Sequence, residues 1–128
     1  MSVLKGLPTI RKASLTSKKI VKSIAEFASD KKAENIVVLD MRKVVNFCDY
    51  FVICSGNSTT QNKAIADAIE EGLRKLGVNL RLSQGFKNAT WIVLDAGDVV
   101  VHVFEKETRE FYQLEYLWQE AKTVDWTK

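Results

Sequence analysis

Asp95 and Asp98 stand three residues apart in Asp95-Ala96-Gly97-Asp98, a corner between two β-prone runs that begin at Trp91 and end at Phe104. Two carboxylates at a hairpin tip can help to hold a divalent cation, serve an enzyme, or pair with Arg and Lys of another molecule. The first two uses need further reactive groups close by, and the sequence supplies almost none. His102 is the single histidine, and Cys48 and Cys54 lie six apart without a Cys-x-x-Cys, so a four-ligand zinc site is not assembled. Cys54 falls inside an apolar strand run and reads as a buried thiol in a reducing, cytosol-like compartment. Grip remains: a large aromatic at the start of the hairpin and carboxylates at its tip make a surface for holding a macromolecule.

The elements that must position this hairpin follow from periodicity. Thr16 or Ser17 can cap a helix running to about Lys31, with Ile20, Ile24, Phe27 and Ala28 on one face. Strands are expected over Ile36–Met41 and Tyr50–Ser55. Ser58 and Gln61 have the spacing of a capping box for a second helix carrying Ile65, Ile69, Leu73 and Leu76, with Gly77 at its C′ position. A weak strand around Asn79–Gln84 precedes the hairpin. A last helix is expected from about Thr108 to Ala121, with Phe111, Leu114, Trp118 and Ala121 in one stripe. The 128 residues, 46% hydrophobic, fit one α+β domain with a mixed sheet. No apolar run is long enough to span a bilayer, and the N-terminus has no apolar segment of the signal-peptide kind.

Charge is divided unevenly. Residues 1–90 hold 15 Lys or Arg against 8 Asp or Glu, whereas residues 91–128 hold 4 against 8. Residues 1–22 carry six basic groups (Lys5, Arg11, Lys12, Lys18, Lys19, Lys22) and no acid. Such a segment either solubilises the chain or touches a polyanion such as RNA, in a salt-dependent way. The acidic last third points to a basic partner.

Three motifs carry a resemblance. Asp49-Tyr50-Phe51-Val52-Ile53-Cys54-Ser55-Gly56-Asn57-Ser58 resembles a signature of the Iojap family, the ribosomal silencing factors. Trp91–Phe104 is similar to that family's second signature, and Arg109-Glu110-Phe111-Tyr112 with Leu114, Glu115, Leu117 and Trp118 to its third. The likeness covers about Ser17 to Ala121. It implies 16–122 as the family domain, with 123–128 left as a tail; residues 1–15, outside the likeness, read from their charge and lack of periodicity as a basic, flexible extension. The likeness further implies an about five-stranded sheet of nucleotidyltransferase-like shape and a protein that is not an enzyme. The expected role is binding of the large ribosomal subunit through a basic protein, the universal large-subunit protein fourteen. Occupying that face would sterically block subunit joining and repress translation. A homodimer in the free state, a cytoplasmic location, a peripheral rRNA contact by the N-terminus and no membrane partner complete the expectation; organelle relatives imply an alternative role in large-subunit assembly.

The residues bear on a second alternative, a degenerate nucleotidyltransferase that still binds nucleotide. Such enzymes need a Gly-Ser helix start for phosphate and an Asp-x-Asp for metal. Here the turn reads Ser55-Gly56-Asn57-Ser58, and Asp-x-Asp occurs nowhere. No catalytic residue, metal or cofactor is therefore expected. The expected partner-binding residues are Trp91, Leu94, Asp95, Asp98, Tyr112 and Leu117. Each has a plain structural reading too: a core Trp, turn-forming aspartates, a solvated helix face. His102 reads as a structural histidine, because no acid–base partner is identifiable. Arg109, near a helix start, sits unfavourably in the helix dipole, which points to a specific acid such as Asp98 or a group on a partner.

Overall fold

In the computed structural model, residues 12–128 are described, with side chains from Ser17 onward. The elements are α1 (Lys12–Asp30), β1 (Glu34–Asp40), β2 (Tyr50–Gly56), α2 (Thr59–Lys75), β3 (Leu82–Gln84), β4 (Trp91–Asp95), β5 (Val99–Glu105), α3 (Lys106–Tyr112), α4 (Leu114–Leu117) and β6 (Lys122–Val124). The six strands form one mixed sheet in the order β3-β4-β5-β2-β1-β6. Only β2 and β5 run parallel; the other neighbours are antiparallel. Every residue of β2 is buried, as a central strand covered on both faces requires.

Alternation along the strands sorts side chains into two layers. Val38, Tyr50, Val52, Cys54, Ile92, Leu94, Val99, Val101 and Val103 pack beneath α1 and α2 with Ile24, Ala28, Ile65, Ile69 and Leu73. On the opposite face Leu39, Phe51, Ile53 and Phe104 pack with Met41 and Cys48 of the β1–β2 connection and with Leu114 of α4. That second cover is partial. Over the β4–β5 hairpin Trp91, Val93, Asp95 and Val100 remain half-buried.

The hairpin, the strand of the first motif and α2 lie where their residues place them. Ser58 Oγ accepts from Gln61 N–H at 3.1 Å as the box requires, while Gln61 Oε1 reaches one residue further back and accepts from Asn57 N–H at 2.6 Å. Gly77 follows the helix with φ +82°, the left-handed conformation its C′ position needs.

Four expectations are corrected. First, α1 begins by Lys12, so Thr16 and Ser17 lie inside it; Ser17 is buried and its Oγ donates to Asp49 Oδ2 at 2.9 Å. The greater part of the supposed 1–15 extension falls outside the described residues. Second, the sheet has six strands instead of five, because residues 122–124 pair with β1. Thr123 and Val124 thus belong to the sheet, not to a tail. Third, the last helix is two. Gln113 adopts φ 47°, ψ 53°, ending α3 and redirecting the chain into α4. Fourth, the break takes Phe111 out of the buried stripe and leaves it 79% exposed.

Candidate functional site

The half-covered face of the hairpin carries a continuous aromatic strip. At one end the Trp91 ring lies 4.8 Å from Phe104 and 4.9 Å from Tyr112, centroid to centroid. His102 packs behind it against the edge of Phe51 at 4.7 Å, and Phe51 in turn meets Trp118. Period-2 alternation places Trp91, Val93 and Asp95 on this face, and the antiparallel register sets them beside Phe104, His102 and Val100.

Trp91 is locked. Its Nε1–H donates to His102 Nδ1 at 3.1 Å, so its polar group is satisfied inside the protein and the ring needs no partner for hydrogen bonding. Burial pushes His102 down to about 4, and the imidazole is neutral near pH 7. Accepting at Nδ1 puts the proton on Nε2, a buried atom without a hydrogen-bond partner. His102 is thus a structural support for Trp91, in keeping with its sequence reading.

About 13 Å along β4, by four residues of strand rise, the strip ends in carboxylates. Asp95 Oδ1 accepts from Gly97 N–H at 2.8 Å, closing the turn, while Asp98 is exposed. The tip is fastened to β2: the Asp98 carbonyl accepts from Asp49 N–H at 2.7 Å and from Tyr50 N–H at 3.1 Å. Burial and the negative charges of Asp49, Asp95 and Asp98 raise the Cys48 thiol to about 12. Cys54, raised to about 12 by burial, is likewise an unreactive thiol.

Of the six expected contact residues, five are at least partly exposed. Trp91 and Asp95 are half-buried; Asp98, Tyr112 and Leu117 are exposed. Leu94 is the exception. It is fully buried beneath the helices on the opposite face, so it is a core residue and not a contact. Ile92 and Leu94 share the same strand parity, which is the reason.

Arg109 is also reassigned. Its acid is neither Asp98 nor a foreign group but Glu115, held bidentately at 3.0 and 2.9 Å, with a further 2.8 Å bond from Nη1 to Ser55 Oγ. This buried clamp ties α4 to α3 and both to the end of β2. The sequence reading missed Phe47, Phe111 and Tyr116, which are 59%, 79% and 66% exposed. Phe111 stacks edge-on against Tyr112 at 5.0 Å and Phe47 lies 6.4 Å from Phe51, so two of them extend the strip at its margins.

At the turn before α2, Asn57 N–H donates to Gln61 Oε1 and Gln61 N–H to Ser58 Oγ. Asn62 is buried and fills the space beside Gly56: a Cβ there would lie 2.2 Å from Asn62 Oδ1. Among the described residues no group of three His, Cys, Asp or Glu side chains could hold a metal ion, and no helix is long and apolar enough to cross a membrane.

A family model described as ribosomal silencing factor during starvation matches residues 14–128. The chain is 43% identical to the Bacillus subtilis ribosomal silencing factor RsfS over 111 residues, 87% of this chain and 94% of that one. It is 36% identical to the chloroplastic protein Iojap of Zea mays over 106 residues, 80% of this chain and 45% of the longer plant protein. A crystal structure of a Chromobacterium violaceum protein superposes with a TM-score of 0.78 at 35% identity, over 79% of this chain and 84% of that one. Another, from Bacillus halodurans, gives 0.75 at 38% identity, over 84% and 97%.

Proposed function

The chain belongs to the ribosomal silencing factor family, and from that premise we propose that it grips the large ribosomal subunit through the open face of the β4–β5 hairpin and sterically prevents the subunits from joining. The family is one of silencing factors and not of enzymes. One observation carries the choice of face: Trp91 is half-exposed, yet its N–H is already bonded to His102 and its ring is braced by Phe104 and Tyr112. An aromatic fixed before its partner arrives loses little rotamer freedom on binding, the condition under which such residues dominate an interface. Exposed Tyr112 and Leu117 widen the apolar contact, while Asp95 and Asp98 offer carboxylates to Arg or Lys of a basic ribosomal protein, taken to be the universal large-subunit protein fourteen.

Blocking of this kind makes and breaks no bond. Its strength is the affinity for the large subunit set against that of the small subunit for the same place. Within this reading the protein acts in the cytoplasm, and free copies pair as homodimers. The nucleotide-binding alternative is disfavoured by the filled turn at Gly56 and the engaged donors of the capping box.

Affinity of a Trp91→Ala variant for purified large subunits tests the face. A loss of about 2 kcal/mol or more is expected, as for truncation of a buried aromatic anchor. Because Trp91 also packs internally, Tyr112→Ala, exposed and cheaper to the fold, serves as the companion variant. Unchanged affinity in both, with folding verified, would remove this face from the interface.

A further inference from the structure

On the far side of Tyr50 from the aromatic strip lies a groove of about 350 Å³ between α1 and the C-terminal segment, lined by Lys18, Lys19, Lys22, Trp126 and Lys128 among others. Lys18, Lys19 and Lys128 are exposed, and Trp126 is half-buried against the helical layer. Lys22 Nζ donates to a main-chain oxygen of Lys128 at 3.2 Å, joining the two walls. Asp125 is an exposed carboxylate in the same lining, accepting from Thr127 N–H at 3.1 Å and from the Thr127 hydroxyl at 2.5 Å. At the Tyr50 wall the Arg42 guanidinium lies 5.5 Å from the ring centroid, with its charge paired to Asp40.

We propose that this groove docks a single strand of RNA belonging to the large subunit, its lysines following the phosphates and Trp126 stacking on a base. Two observations favour RNA as the occupant. Ammonium groups around an aromatic ring in a groove are the composition that holds single-stranded nucleic acid without reading its sequence. The groove is also tied to the hairpin tip through the interior: Ser17 in α1 donates to Asp49, and Asp49 and Tyr50 both donate to the Asp98 carbonyl, so the two surfaces are held in a fixed relation. The placement on ribosomal RNA therefore rests on the proposed function, whereas the affinity for a free strand does not. Lys5, Arg11 and Lys12 are a separate source of charge in the sequence.

Fluorescence anisotropy with a labelled oligouridylate, on the full chain across a range of salt, tests the proposal. The triple variant Lys18→Gln, Lys19→Gln, Lys22→Gln is expected to bind at least about tenfold more weakly. It should also flatten the slope of log affinity against log salt by about 2, near 0.7 for each phosphate that is no longer neutralised. The control variant Lys5→Gln, Arg11→Gln, Lys12→Gln is expected to retain most of the binding. The proposal is overturned if the groove variant binds like the parent, if the whole loss lies with the control, or if vesicles rich in phosphatidylserine are captured as well as the RNA. Trp91→Ala separates the two assignments. It should lose large subunits while keeping oligouridylate; retention of both would break the hairpin-face assignment and leave the groove standing.

Discussion

Trp91 is fixed in place by its neighbours His102, Phe104 and Tyr112. A bare indole at a strand start would carry an N–H seeking a partner, and His102 supplies one from within at 3.1 Å. This has a pH signature. His102 titrates near 4 in the folded protein because burial disfavours the imidazolium, against an ordinary value of 6.5. The unfolded chain takes up the proton first as pH falls, so this contribution to stability is complete above about 6.5 and is lost progressively down to about 4. The full effect is of order 3 kcal/mol. Urea unfolding of the parent and of His102→Phe between pH 7 and 4 should show the parent losing stability more steeply. Parallel pH profiles would mean that His102 is readily protonated in place. At this scale the sequence placed Trp91, Asp98 and Tyr112 where the structure leaves them at least partly exposed, and was misleading about Leu94. Leu94 sits in the same motif, but its strand parity is that of the core residue Ile92, and parity decides which face a side chain reaches.

Elements fixed by local chemistry were legible: α2 with its Ser58–Gln61 box, the hairpin around Asp95–Asp98, and Gly77 after the helix. Elements decided by long-range contacts were not. Phe111, Leu114, Trp118 and Ala121 have the period of one helix, yet the Arg109–Glu115–Ser55 clamp and the seating of Leu114 on the second core bend the chain at Gln113. Strand β6 was equally unreadable, since Lys122-Thr123-Val124 becomes a strand only by pairing with β1. The kink is open to test. A non-glycine residue at φ 47° is strained, so Gln113→Gly should stabilise the protein by up to about 1 kcal/mol in denaturant titration. Were the segment one straight helix, the same substitution would cost roughly 1 kcal/mol.

The whole molecule is a sheet with two unequal covers. Two long helices seal one face; short elements half-seal the other, and the uncovered part is where the aromatics and the acidic tip emerge. Charge is divided along the chain, with the basic excess in residues 1–90 and the acidic excess in residues 91–128. A basic protein and the RNA around it are both anchored on the ribosome, so a small domain with an acidic, aromatic end and a basic groove can engage the two at once. Affinity from the aromatic face should resist salt, because desolvated ring contacts carry it, whereas the lysine contribution should fade as salt rises. Co-sedimentation with separately purified large and small subunits, at low and moderate salt, tests the central claim most directly. The account requires salt-resistant association with the large subunit alone and fewer joined ribosomes when both subunits are mixed in its presence. Association with both subunits that vanishes as salt rises would contradict it, reducing the interaction to the attraction of a basic chain for RNA.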